Sequence, residues 1–149
     1  TVAGNIVKSN PELLERFLPK YATVGTVYSD GLAQRKSYTV NAVNTANNSY
    51  SCFIGGDGPV TIFHTDAPGN ETVLIVKESF GNAFATWAMH NYKKVCVVDP
   101  RKFNGFGGNY NYFNLKSFCD AQGVDDIIFI NYPVAVGSSG IRGAILNMR

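Results

Sequence analysis

Charge is scarce in this chain: Asp, Glu, Lys and Arg make up only 16% of it, and the formal net charge is +2. That balance offers no electrostatic handle on nucleic acid, and no basic stripe with interleaved aromatics occurs, so a nucleic-acid partner is not expected. No apolar run approaches the roughly 18 residues of a membrane span. Cysteine is limited to Cys52, Cys96 and Cys119, whose spacing fits no CxxC metal pattern, so no metal is expected. The odd count leaves at least one thiol unpaired within a monomer, and buried free thiols are the expected state. Phosphate- and dinucleotide-binding signatures are missing too. The GGDGP stretch at 55–59 lacks the Lys-Ser/Thr of a phosphate loop, and no strand leads directly into the glycine-rich NGFGGNYNYF run at 104–113. No cofactor is therefore expected. Phe106, Tyr110 and Tyr112 in that run suit sugar stacking or a plain surface connection. The Asn-x-Ser/Thr triplets at Asn47 and Asn70 are too short to carry weight. The opening TVAGN shows neither Met nor a signal-like start, which reads as a mature or excised piece.

What the chain does have is apolar residues, 45% of its 149, enough for one domain with a real core. Residues 1–71 read as a β-rich portion. Asn10 and Pro11 open a short helix ended by Pro19, YATVGTVY and KSYTVNAV are strand candidates, and VTIFH is a short strand after a glycine-rich turn. Residues 72–149 alternate more regularly. Val73–Val76, Val95–Val98 and Ile127–Ile130 are continuous apolar runs, the pattern of strands buried on both faces. Helical spacing separates them, through Phe80, Phe84, Trp87 and Ala88, then Leu115, Phe118 and Cys119, with Gly123 at a C-cap. Ser138 or Ser139 opens a last helix. The expected fold is α/β: a parallel three-layer sheet of the SGNH or flavodoxin-like kind, with a β-rich N-terminal portion.

Parallel sheets gather function at the carboxyl ends of their strands. Here those ends carry Glu78-Ser79, Asp99-Pro100-Arg101 and Asn131-Tyr132. Ser79 follows a buried run and opens a helix, a position that either caps the helix or presents a hydroxyl beside free backbone N–H groups. Gly81 permits close approach, and Asn82 adds an amide donor. Arg101 either binds a carboxylate or oxyanion or pairs locally with Asp99. Asn131 either lines a cleft or makes a turn before Pro133.

A serine nucleophile needs a base within hydrogen-bond reach. Histidine occurs only at 64 and 90. At about 1.5 Å per residue, His90 lies roughly 16 Å along the same helix. If the DAPGN turn at 66–70 makes a hairpin, His64 sits at the far end of the Val73 strand, roughly 20 Å away at about 3.3 Å per residue. Neither serves Ser79.

The runs FIGGDGPVTIFHT, TVLIVKESFGNAFATWAMHNYKKVCVVDPRKF and GVDDIIFINY resemble the C-terminal part of DHHW proteins, an SGNH-hydrolase-like group related to alginate O-acetyltransferase-type domains. The resemblance covers about Ser51 to Tyr132. It matches Lys77-Glu78-Ser79-Phe80 to a Lys-Asp-Ser-aromatic stretch, which implies Ser79 as nucleophile and Arg101 in the segment after the second strand. Glu78 stands where the family has Asp. The Asp-His-His-Trp segment that would supply the remaining catalytic groups is not in these 149 residues. The resemblance thus implies the C-terminal part of a serine O-acyl esterase or O-acetyltransferase, acting outside the cytoplasm on a carbohydrate or acyl-ester substrate, and inactive as this chain alone. A non-catalytic surface or scaffold module is the alternative. A flavodoxin-like ligand binder is weaker, because no phosphate loop follows the first strand.

Overall fold

The computed structural model describes residues 15–21, 24–29, 37–47, 49–103 and 113–148. Most of the expected N-terminal helix, the tip of the turn at 29–31 and the loop at 104–112 lie outside them. The described part of that helix, 15–19, has no regular structure.

Six strands form one sheet. They are β1 (Val24–Tyr28), β2 (Ser37–Asn41), β3 (Val60–His64), β4 (Thr72–Lys77), β5 (Lys94–Val98) and β6 (Asp126–Ile130), in the order β2-β1-β3-β5-β4-β6. The helices are α1 (Gly81–Ala88), α2 (Leu115–Gln122), α3 (Pro133–Gly137) and α4 (Ser139–Leu146). Parallel pairing holds only within β5-β4-β6. The β1–β2, β1–β3 and β3–β5 pairs are antiparallel, so the sheet is mixed and mostly antiparallel, and the parallel sheet expected over 72–149 is only one part of it. The reason lies in β3. The sequence suggests a β3–β4 hairpin through 66–70, but β3 pairs with β5 instead, Val60 opposite Val98 and His64 opposite Lys94. Strand β5 thus sits between them, and the two halves of the chain share one sheet.

Alternation along the strands divides the core between the two faces. Val60, Ile62, Leu74, Val76, Cys96 and Val98 pack with Phe113, Phe118 and Ala144, on the side of α2 and α4. Phe63, Val73, Ile75, Val95 and Val97 pack with Ala85, Ala88 and Met89, on the side of α1. Helix α1 buries small residues and turns Phe84 and Trp87 outward, where Phe17 stacks on Trp87 with ring centroids 3.6 Å apart. Helix α2 is capped at both ends, at Gly123 as expected and at Asn114 in addition. The Asn114 side chain accepts from the Ser117 N–H, and Gly123 takes φ 62°, a left-handed conformation that costs glycine little. All three cysteines are free thiols, and burial pushes that of Cys96 up to about 12.

Candidate active site at the carboxyl edge of the central strands

The β3–β5 pairing builds the site. Because β3 runs against β5, the loop that enters β3 arrives where β4 and β5 end. That loop is wound tightly, with Ile54, Gly55 and Gly56 all at positive φ. For Ile54, at φ 48° and buried, the conformation is strained. The backbone bond from the Asp99 N–H to the Pro59 carbonyl (3.0 Å) ties the loop to the end of β5.

The loop delivers Asp57 to a buried ion cluster. Lys77, the last residue of β4, donates from Nζ to Asp57 Oδ1 (2.9 Å) and to Asp99 Oδ2 (3.0 Å), and its side chain is wholly buried. Arg101 donates from Nε to Asp99 Oδ1 (2.9 Å) and from Nη2 to both Asp99 Oδ2 (2.6 Å) and Asp57 Oδ2 (2.9 Å). Asn82 adds a bond from Nδ2 to Asp57 Oδ1 (2.9 Å). Two cations and two carboxylates thus neutralise one another out of water. Burial opposes ionisation of Asp57, but the hydrogen bond and charge of Lys77, with Asn82 and Arg101, outweigh it and hold the carboxyl below its ordinary range. The Arg101 guanidinium is held above its ordinary value, chiefly by its hydrogen bond to Asp99.

Ser79 lies directly above this cluster. It follows β4 and precedes α1 by one residue, half-buried, as expected for a strand–helix junction. Its side chain does not cap α1, whose N-cap is Phe80. Instead Ser79 Oγ donates to Glu78 Oε2 (3.1 Å), which also accepts from the Phe80 N–H (3.2 Å). Glu78 is 1% exposed, and among the described residues its other oxygen, Oε1, has no hydrogen-bond partner, nor does Oδ1 of the buried Asn82. The turn passes so close to the sheet that a Cβ on Gly81 would lie 2.3 Å from that of Lys77. Tyr50 braces it by donating to the Phe80 carbonyl (3.1 Å), and burial raises the phenol's pKa above its ordinary value. Phe80 and Tyr132, both exposed, stand beside the serine with ring centroids 5.6 Å apart.

The structure therefore brings Ser79, Asn82 and Arg101 to one edge. Asn131 joins them, because the Glu78 N–H bonds the Ile130 carbonyl (3.3 Å) next to it. The amide of Asn82 and the guanidinium of Arg101 are both engaged with carboxylates. The histidines are elsewhere. His64 ends β3 opposite Lys94, at the far end of the sheet from Lys77. His90 lies just past α1 and accepts from the Lys20 N–H (2.6 Å) through Nε2. Asp57 and Lys77 have roles that the sequence reading did not assign. A lysine closing the apolar run VLIVK was the available signal, since a charge there must find a buried partner. Among the described residues, no group of three His, Cys, Asp or Glu side chains is placed to hold a metal ion. No described helix is long and apolar enough to cross a membrane.

These features define a mixed α/β protein with a serine at a strand–helix junction, set over a buried ion cluster. Residues 27–98 match the DHHW protein family. Among solved structures, the chain is similar to a DHHW family protein from Eubacterium siraeum DSM 15702, with TM-score 0.74 and 21% identity, over 97% of this chain and 46% of that one. It is also similar to Bacillus cereus PatB1 carrying a sulfonyl adduct, with TM-score 0.63 and 15% identity, over 85% and 42% of the two chains. A second structure of Bacillus cereus PatB1 gives TM-score 0.62 and 15% identity, over 87% and 45%. The chain spans less than half the length of these structures. No match was found among curated proteins.

Proposed function

We propose that this chain is the C-terminal part of a longer SGNH-like serine O-acyl esterase or O-acetyltransferase, with Ser79 as nucleophile. The observation that carries this reading is the Ser79 hydroxyl, half-exposed at the β4–α1 junction and hydrogen-bonded to a buried carboxylate. In the reaction, Ser79 Oγ attacks an acyl carbonyl and its proton passes to a histidine supplied from outside these residues; the ester C–O bond then breaks, the departing alcohol takes that proton, and the acyl group stays on Ser79 until water or an acceptor hydroxyl removes it. The Ser79 and Phe80 N–H groups hold the developing oxyanion. The buried ion cluster fixes the end of β4 and keeps the serine turn rigid. Glu78 holds the Phe80 N–H in the resting site, so a substrate carbonyl displaces its carboxylate. Support comes from PatB1, a fold neighbour solved with a sulfonyl adduct, because sulfonyl groups are trapped by activated nucleophiles. The substrate class is a carbohydrate or other acyl ester outside the cytoplasm.

The test is labelling by a sulfonyl fluoride or fluorophosphonate, read by mass spectrometry. The complete gene product labels on Ser79, and Ser79→Ala abolishes it. The 149-residue chain, without a histidine near the serine, labels poorly and hydrolyses small acyl esters negligibly. A complete product that labels at another residue, or equally well as Ser79→Ala, ends this reading.

One observation favours a second reading, a non-catalytic scaffold. Arg101, Asn82 and the Phe80 N–H are all occupied by the protein's own carboxylates. On that reading the complete product stays unlabelled, and Ser79→Ala changes nothing.

A further inference from the structure

The two edges of the sheet are built differently. Strand β2 alternates Ser37, Thr39 and Asn41 with its other residues, the polar dressing of an edge that meets water. Strand β6 reads DIIFI, with no Pro or Lys to guard it. Its register places Ile127 beside Leu74 and Phe129 beside Val76. Leu74 and Val76 are fully buried, whereas Ile127 is 47% and Phe129 52% exposed. Among the described residues, β6 is hydrogen-bonded on one side only. A sequence patterned for burial on both faces thus lies at a bare edge, where an apolar strand of low charge is an aggregation hazard.

We infer that β6 is an internal strand of the complete protein, covered by further polypeptide of the same chain: a strand paired to its outer edge and an apolar element over Ile127 and Phe129. This rests on the reading above that the chain belongs to a longer protein. The occupant is argued from the solved DHHW family structure, in which this fold accounts for only 46% of the chain, leaving ample polypeptide to supply it.

Hydrogen exchange on the 149-residue chain and on the complete gene product tests this. In the short chain the outward amides of 127–130 exchange fast, as an unpaired edge does, and in the complete product they are slowed by orders of magnitude. Phe129→Glu leaves the melting temperature of the short chain unchanged and lowers that of the complete product. Fast exchange at 127–130 in the complete product overturns the inference while leaving the Ser79 labelling result intact. Protection that appears in the short chain and grows with its concentration assigns the edge to a second copy and overturns it as well. A gene product with no polypeptide beyond these residues removes the occupant and, with it, the outside histidine that the serine reading needs.

Discussion

At the two ends of the central strands, polar side chains solve different problems. At the end where β4 begins, they hook loops to backbone: Thr72 N–H to Asp125 Oδ2 (2.8 Å), and Thr65 Oγ1 to the Tyr92 carbonyl (2.7 Å). Each is a single bond between one side chain and the backbone, across 53 and 27 residues of sequence. At the end where β4 finishes, Lys77, Arg101, Asp57 and Asp99 hold one another in a network of charges mostly out of water. Losing a loop hook strands a neutral group, at a cost of about 1–3 kcal/mol. Losing one member of the ion cluster strands a charge, which costs more. The contrast separates an end built for connection from an end built to keep a turn in place.

The sharpest way to break this contrast is Lys77→Met. It leaves two carboxylates facing one cation, and stability falls by about 3–5 kcal/mol, read as a lower urea midpoint. A loss no larger than that of Thr65→Ala would show that the ends are alike. Asp57→Asn comes next, with a loss of about 1.5–3 kcal/mol, as for hydrogen bonds to charged groups. Its pH dependence sharpens the point. The carboxyl is held below its ordinary range in the folded chain, so its stabilising effect is present above the unfolded value of about 3.9 and is lost as pH falls through the folded value. Urea midpoints taken from pH 6 downward should fall more steeply in the wild type than in Asp57→Asn. Gly81→Ala forces a methyl into the Lys77 stem and costs about 1–3 kcal/mol by overpacking. The smallest effect belongs to the other end. His64→Ala, at an exposed strand end, should stay within about 0.5 kcal/mol of wild type and leave Ser79 labelling of the complete product unchanged.

Much of the parallel half was legible because its runs are continuous and capped. Val73–Val76 and Val95–Val98 became buried strands, and Gly123 caps α2 as read. Local pattern failed where partners are distant. The DAPGN turn suggested a hairpin, yet nothing in VTIFH tells β5 from β4 as a neighbour, since both offer the same apolar faces. That one pairing decides whether Asp57 is a turn residue or a member of the ion cluster, so its role was invisible with it. Phe80, Phe84 and Trp87 marked the right helix, but the small Ala85 and Ala88 face the sheet, because only small side chains let the helix sit close. Ser79 was placed by its neighbours in sequence. The carboxylate that holds it was overlooked because the search for a base went to the histidines rather than to the adjacent Glu78.

The complete burial of Lys77 also makes its amine a clock. An acylating reagent in water reaches a lysine only when its nitrogen is exposed, and this nitrogen is wholly buried while two carboxylates grip it. Surface lysines such as Lys116 therefore modify at once, whereas Lys77 waits for the carboxyl edge to open. Its modification rate, followed by mass spectrometry under native conditions, reads how often that edge comes apart, with no substitution made in the chain.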